Sequence, residues 1–343
     1  MNILEINPPI STGLILSYRC NISCKYCIYA CSPKWQSSWL KEIDAEIIFK
    51  NLSYIFNKLY PYNNYYRNNH ISFSYGLHFT GGEPFLNFEL LLKLTKLAVE
   101  FKIPLPFVET NCFWAKNDEI TTARLKELKQ AGMSGILVSV NPFNIEYIPF
   151  DRIERVARIG NQIFYGNSIV YQDFFLNLFK SLKLDKTISF EEFIKKVNFK
   201  DLYNYIELLP MGRTPYKLGF LYKKYKASFF FNQNCRNELT RNWHTHIDNY
   251  CNYLPGFCAG ISLGNFKDFN SIFGGINLDK KPILKALTEN IENLFKISND
   301  YGYKENPEGY ISKCHLCVDI RKHIIEKTDE FSELAPVEFY HMI

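Results

Sequence analysis

Three cysteines, Cys20, Cys24 and Cys27, constrain this 343-residue chain more than any other feature, because thiols so close in sequence must share one short loop. Three residues separate the first pair and two the second. A zinc site usually takes four nitrogen or sulfur ligands in paired spacings, whereas this loop offers three thiols. Three thiolates can instead hold three irons of a [4Fe–4S] cluster and leave the fourth iron open to another molecule. A zinc knuckle or plain buried thiols are the alternatives. Cys31 follows closely and is read as a loop thiol, since a fourth protein ligand would close such a cluster.

The chain carries ten cysteines, and the rest of its composition says how to read them. Hydrophobic residues are 47% and charged residues 22%, as in an ordinary globular protein with a large core. The net charge of +5 is spread without a long basic block, which argues against nucleic acid or membrane binding. MNILEINPPI is no signal peptide, and no stretch approaches the ~20 apolar residues of a membrane span. A reducing cytoplasm is therefore expected, where cysteines serve as metal ligands or free thiols before they form disulfides.

Along the chain, apolar runs alternate with helical periodicity. Strands are expected at Leu14–Ser17, Gly76–Thr80, Phe107–Thr110, Gly135–Val140, Gln162–Tyr165 and Tyr205–Leu209. Helices are expected near 41–60, 87–101, 119–130 and 150–159, the last stopping at Gly160, with a broken helical region over 173–204. Residues 62–75 read as a loop. Six strands alternating with helices imply an α/β fold with parallel strands, a partial (β/α)6 barrel or an open sheet, whose strand C-terminal ends make the site. The cysteine loop, Gly81–Pro84, Asn111 and Asn141 all follow such ends. With the first strand near Gly13, no separate peptide-recognition domain is expected ahead of it. After about Thr214 the pattern changes to a smaller α+β unit. It holds a strand at Trp243–Ile247, a turn at Asn249–Gly256, a helix at Pro282–Ile297 and a short helix at Val318–Glu326. Domains of 1–214 and 215–343 follow.

The C-x3-C-x2-C loop, with Tyr26 before its last cysteine, together with Gly81-Gly82-Glu83-Pro84, resembles the signature of radical S-adenosylmethionine (SAM) enzymes over about residues 13–213. The resemblance implies that Cys20, Cys24 and Cys27 hold a [4Fe–4S] cluster. It also implies that Gly81, Gly82, Glu83 and Pro84 bind the amino group of SAM. Two glycines let backbone approach a ligand closely, and a carboxylate pairs with an ammonium. Glu109-Thr110-Asn111 is similar to a strand end of that family in which Cys112 stands where glycine is usual. Ser139 and Asn141 resemble the polar pair at the next strand end, and these positions would face the SAM carboxylate and ribose. Pro210-Met211-Gly212-Arg213 resembles the end of the sixth strand, where Met211 backbone would flank the adenine.

The late cysteines form a second group. Cys314-x2-Cys317 alone fits zinc, a cluster or a redox dithiol. In order with Cys235 and Cys258 it resembles the Twitch or SPASM extensions of radical SAM enzymes. That implies an auxiliary [4Fe–4S] cluster on Cys235, Cys258, Cys314 and Cys317, Twitch being the better match to the cysteine count. Cys251 is an alternative to Cys235, and structural zinc on the same cysteines is an alternative to the cluster. Cys112 reads as a packed residue, and His244 and His246, on one face of a strand, as core or hairpin residues.

The activity implied is reductive cleavage of SAM to a 5′-deoxyadenosyl radical that abstracts hydrogen from substrate. The electron would come from a flavodoxin or ferredoxin. Peptide or protein modification is the first substrate reading, with a small sugar or alcohol as the alternative. A non-enzymatic zinc-binding interaction protein is the reading from another class, and it gives Gly81–Pro84 nothing to do.

Overall fold

The computed structural model describes residues 2–60, 69–198, 206 and 208–343. Its strands are β1 (Ile3–Leu4), β2 (Ser11–Ile15), β3 (Gly76–Thr80), β4 (Phe107–Thr110), β5 (Gly135–Ser139), β6 (Ser168–Tyr171), β7 (Thr245–Ile247), β8 (Tyr253–Leu254) and β9 (Ile276–Asn277). Seven of them form one sheet in the order β6-β5-β4-β3-β2-β7-β8. From β6 to β7 every neighbour is parallel, and β8 closes the edge antiparallel to β7. β1 pairs with β9 in a separate two-stranded ribbon.

Parallel strands need crossovers, and helices on both sides let them bury both faces. Each residue of β2 and β3 is buried accordingly. Helices α1 (Glu42–Tyr54), α2 (Phe88–Glu100), α3 (Asp118–Ala131) and α4 (Phe150–Ile163) connect β2 to β6 in turn. Their limits follow local chemistry. Asn117 caps α3 by accepting from the Ile120 N–H at 2.8 Å, and Gly132 ends it in the left-handed region at φ 107°. Beyond β6 lie α5 (Asp173–Ser181) and α6 (Phe190–Lys196), the latter started by a capping box of Ser189 and Glu192.

The α/β class and the parallel alternation are as expected, with five differences. α4 does not stop at Gly160 but runs to Ile163. A Cβ on Gly160 would stand 3.0 Å from Ile136 Cγ2, so this glycine serves close helix–sheet packing. The strand expected at Gln162–Tyr165 is therefore the end of α4 and its turn, and the fifth strand lies later, at β6. Of the strand expected at Tyr205–Leu209, positions 205 and 207 lie outside the described residues, and the described Ile206, Leu208 and Leu209 are not in a strand. The sixth parallel strand is instead β7, which pairs with β2 through Thr12–Thr245, Gly13–His246 and Leu14–Ile247. The sheet thus crosses the boundary expected at 214. Lastly, the helix expected over Pro282–Ile297 is two helices, broken at Asn290, which caps the second at 2.9 Å from the Asn293 N–H.

The helix expected at Val318–Glu326 starts earlier, at Lys313, because Ser312 caps it by accepting from the His315 N–H. Cys314 and Cys317 consequently sit in its first turn. Among the described residues, no helix is long and apolar enough to cross a membrane.

Candidate functional site

The chain leaving β2 and the chain leaving β3 are bonded to each other before either reaches solvent. Leu16 N–H donates to the Thr80 carbonyl, Gly82 N–H to the Ser17 carbonyl at 2.9 Å, and Glu83 N–H to the Arg19 carbonyl at 3.0 Å. A Cβ on Gly82 would stand 1.8 Å from the Arg19 oxygen, and one on Gly81 2.5 Å from the Ser17 oxygen. The glycine pair is thus required first for contact with the cysteine loop, an internal backbone approach that the sequence pattern does not distinguish from a ligand's.

Glu83 is buried and spans to the next strand end. Its Oε1 accepts from Phe85 N–H at 3.1 Å and Thr110 Oγ1 at 2.9 Å, and its Oε2 from Asn111 N–H at 2.7 Å. Burial pushes its pKa up to about 7 despite those donors. Asn111 continues the link. Its Nδ2 donates to Asn21 Oδ1 at 2.9 Å and reaches Cys20 Sγ at 3.8 Å. Cys112 is fully buried at φ 69°, a conformation that favours the glycine it replaces.

Around these ends lies a cavity of about 420 Å³. It is lined by Cys20, Cys24 and Cys27, by Tyr26, by Gly81–Pro84, and by Asn111 and Ser139. Asn141 does not line it. Its Nδ2 donates to Tyr26 Oη at 2.8 Å, and Tyr26 in turn donates to Asn144 Oδ1 at 3.1 Å, so Asn141 acts on the cavity through Tyr26. Met211, expected beside the same site, lines a different cavity, while Leu209 lines this one.

The thiols differ in their surroundings. Burial raises the Cys20 and Cys24 pKa values. Cys27 is lowered to about 6, chiefly by a hydrogen bond with Cys31, with help from Arg213. Burial holds Cys31 up, so it is the protonated donor of that pair. Arg213 is the residue the sequence reading undervalued. Its buried guanidinium donates to the carbonyls of Cys24, Ala30 and Cys31, and its N–H to that of Cys27. The signal was present in Pro210–Arg213, but as a motif position without a stated target.

A second, smaller cavity of about 30 Å³ adjoins Met211 and Gly212 and is ringed by Cys235, Cys258, Cys314 and Cys317. Burial raises the pKa values of Cys235, Cys258 and Cys314, the latter two to about 12. The buried cation Arg321 stands beside them and donates to the Ala259 carbonyl at 3.1 Å. Cys251 is elsewhere, with Asp44, Lys267 and Asp248 as its charged neighbours. Phe257 lines both cavities.

Among the described residues, no three His, Cys, Asp or Glu side chains converge as they would on one metal ion. The thiols ring cavities instead. That donor set, four thiols on the larger cavity (Cys20, Cys24, Cys27 and Cys31) and four on the smaller one, fits cubane clusters, whose ligands stand on separate irons.

No family model matches the chain, and no curated protein matches it. Several solved structures resemble it, two of which follow. "Crystal structure of BtrN in complex with AdoMet and 2-DOIA" has a TM-score of 0.43 at 15% identity, over 84% of this chain and 90% of that one. "Native anSMEcpe with bound AdoMet" has a TM-score of 0.40 at 17% identity, over 76% and 78%. Similarity at this level leaves the functional reading to rest on this chain's own residues.

Proposed function

We propose that this protein is a radical SAM enzyme with an auxiliary cluster. The observation that carries the reading is the meeting of Cys20, Cys24 and Cys27 with Gly81–Pro84 on one cavity at adjacent parallel strand ends. Cys20, Cys24 and Cys27 would hold a [4Fe–4S] cluster, and Gly81–Pro84, Asn111 and Ser139 would line the place of SAM. When bound, the two supply radical chemistry: one electron cleaves the sulfonium bond, and a 5′-deoxyadenosyl radical takes hydrogen from a C–H bond. Arg213 offsets the negative charge of the thiolate loop, and Asn111 offers Cys20 a hydrogen bond that tunes it. Trp243, Phe257 and Phe73 line the same cavity and help exclude water. Cys235, Cys258, Cys314 and Cys317 would hold the auxiliary cluster, in a Twitch-like C-terminal domain that begins near residue 215.

A flavodoxin or ferredoxin in a reducing cytoplasm would supply the electron. Peptide or protein modification is the substrate reading the resemblance brings first. The second, a small sugar or alcohol undergoing dehydrogenation or rearrangement, is favoured by the neutral polar side chains on the cavity wall. The non-enzymatic zinc protein is the competing class. Anaerobic purification and reconstitution, an iron and sulfide count, and a 5′-deoxyadenosine assay with SAM and reductant separate these. About eight irons per chain and SAM cleavage are expected. About four irons would remove the auxiliary cluster, and zinc without cleavage would sink the enzyme reading.

A further inference from the structure

Across three adjacent strands, one level of the sheet reads His78 on β3, Gly13 on β2 and His246 on β7. A Cβ on Gly13 would stand 2.5 Å from both His78 Nε2 and His246 Cδ2. The missing side chain is what lets the two imidazoles meet over β2. His244, two residues back on the same face, completes a triangle with ring centroids 5.0 to 5.6 Å apart. On β4, Glu109 places Oε1 3.3 Å from His78 Nε2 and accepts from Thr80 Oγ1 on Oε2 at 2.7 Å. Tyr29 Oη lies 2.7 Å from His246 Nδ1.

Glu109, Thr80, His244, His246 and Tyr29 all line the 420 Å³ cavity and form one wall of it. A packed core explains one buried histidine. It does not explain a carboxyl and two histidines on a cavity wall backed by a third, His78, whose Nε2 is buried and outside hydrogen-bond geometry with any partner. Neutral imidazoles offer one donor and one acceptor each, and burial keeps these three neutral at pH 7. Glu109 is pushed up to about 7 by its surroundings, so it too donates or accepts. The nearest cation, Arg241, is stacked on Trp243 and Phe257, 4.4 and 4.7 Å from their ring centroids. Groups that both donate and accept match a ligand group that does the same, which is a hydroxyl. An anion would meet Glu109, and a fixed cation would find the two lining carboxyls, Glu83 and Glu109, already engaged with donors. The aromatic rings of Phe73, Tyr171, Trp243 and Phe257 offer faces for C–H bonds.

We propose that this wall is a substrate subsite for a small polyhydroxylated molecule, with Glu109 and Thr80 bonding one hydroxyl and His244 and His246, packed on His78, positioning its neighbour. The proposal rests on the enzyme reading for what happens next but not for binding. It assigns substrate specificity to Glu109, His244 and His246, for which no role was evident in the sequence.

The test is equilibrium dialysis of the anaerobically reconstituted protein, with SAM present, against labelled myo-inositol, labelled glucose and a labelled serine- and cysteine-containing hexapeptide. Saturable binding of at least one polyol is expected. It should weaken about tenfold in Glu109→Gln and in Thr80→Val, as loss of a hydrogen bond of about 1.4 kcal/mol would require. Unchanged iron content would show that both variants fold. Failure of both polyols to bind, binding of the peptide alone, or equal polyol affinity in Glu109→Gln would overturn the subsite. Iron and 5′-deoxyadenosine measured on the same samples keep the two readings apart. Polyol binding without SAM cleavage overturns the enzyme reading and leaves the subsite standing; SAM cleavage without polyol binding does the reverse.

Discussion

Arg213 donates from Nη1 to the backbone carbonyl of Cys24 at 2.9 Å, although 189 residues separate the two in sequence. The same fork reaches the carbonyls of Ala30 and Cys31, so one side chain sets the curvature of the whole thiol loop. A lysine cannot reproduce a planar fork. Arg213→Met is expected to lose about half of the reconstituted iron, that of the first site, with Arg213→Lys intermediate. The readout is iron per chain with the visible absorption spectrum. Full iron in Arg213→Met would remove the positioning role.

Gly13 makes a sterically sharper claim. Alanine there would crowd His78 and His246 at 2.5 Å, and neither ring is a flexible chain end. Overpacking of this kind typically costs about 1–3 kcal/mol. Urea unfolding of Gly13→Ala should show a loss in that range. Stability equal to wild type would mean that the two rings can part, and the triangle would lose its rigidity.

The two candidates for the fourth late thiol separate cleanly. Cys235 lies on the ring of four and Cys251 does not. Cys235→Ala is expected to lower the iron content by about four per chain, whereas Cys251→Ala should leave it at the wild-type value. The reverse result would move the auxiliary site to the turn before β8.

Buried carboxyls and buried histidines pull the pH dependence of stability in opposite directions. Glu83 and Glu109 are each raised from 4.5 to about 7, and Asp248, bonded to Tyr18 Oη at 3.0 Å, from 3.8 to about 6. Each binds more protons folded than unfolded, so its contribution is complete below the unfolded pKa and lost as pH rises through the folded one. His78, His244 and His246 are lowered from 6.5, His244 to about 4. Their contribution is present above 6.5 and lost as pH falls. Between pH 6.5 and about 7.5 the two sets oppose each other, so the sign is read by difference: wild type should lose melting temperature relative to Glu109→Gln as pH rises. Thermal melts of wild type and Glu109→Gln test the sign. A variant that loses as much over this interval as wild type would show that Glu109 is not the titrating group.

Much of the site was legible because its chemistry is local. Buried β-branched runs next to turn signals mark β3, β4 and β5, and the residues after them necessarily share one edge of a parallel sheet. Gly160 was misread because a glycine that ends a helix and one that admits a neighbouring strand look the same in one dimension. That error hid β6, a four-residue strand with no fully buried position to stand out. The pairing of β7 with β2 left no local trace, since it joins residues more than 230 positions apart. The alternation of His244 and His246 was visible. Their meeting with His78 was not, because strand register decides it.

The place of β7 has a further consequence for how the molecule comes to exist. A chain made from its N-terminus has completed β2 and the first thiol loop long before Arg213 and Thr245 are available to it. Until then β2 offers an open hydrogen-bonding edge, a surface prone to wrong pairing. The first cysteine loop therefore gains its final frame only when the last third of the chain arrives. Capture of iron there must wait until β7 has been made, or begin in a loop that is still reshaping.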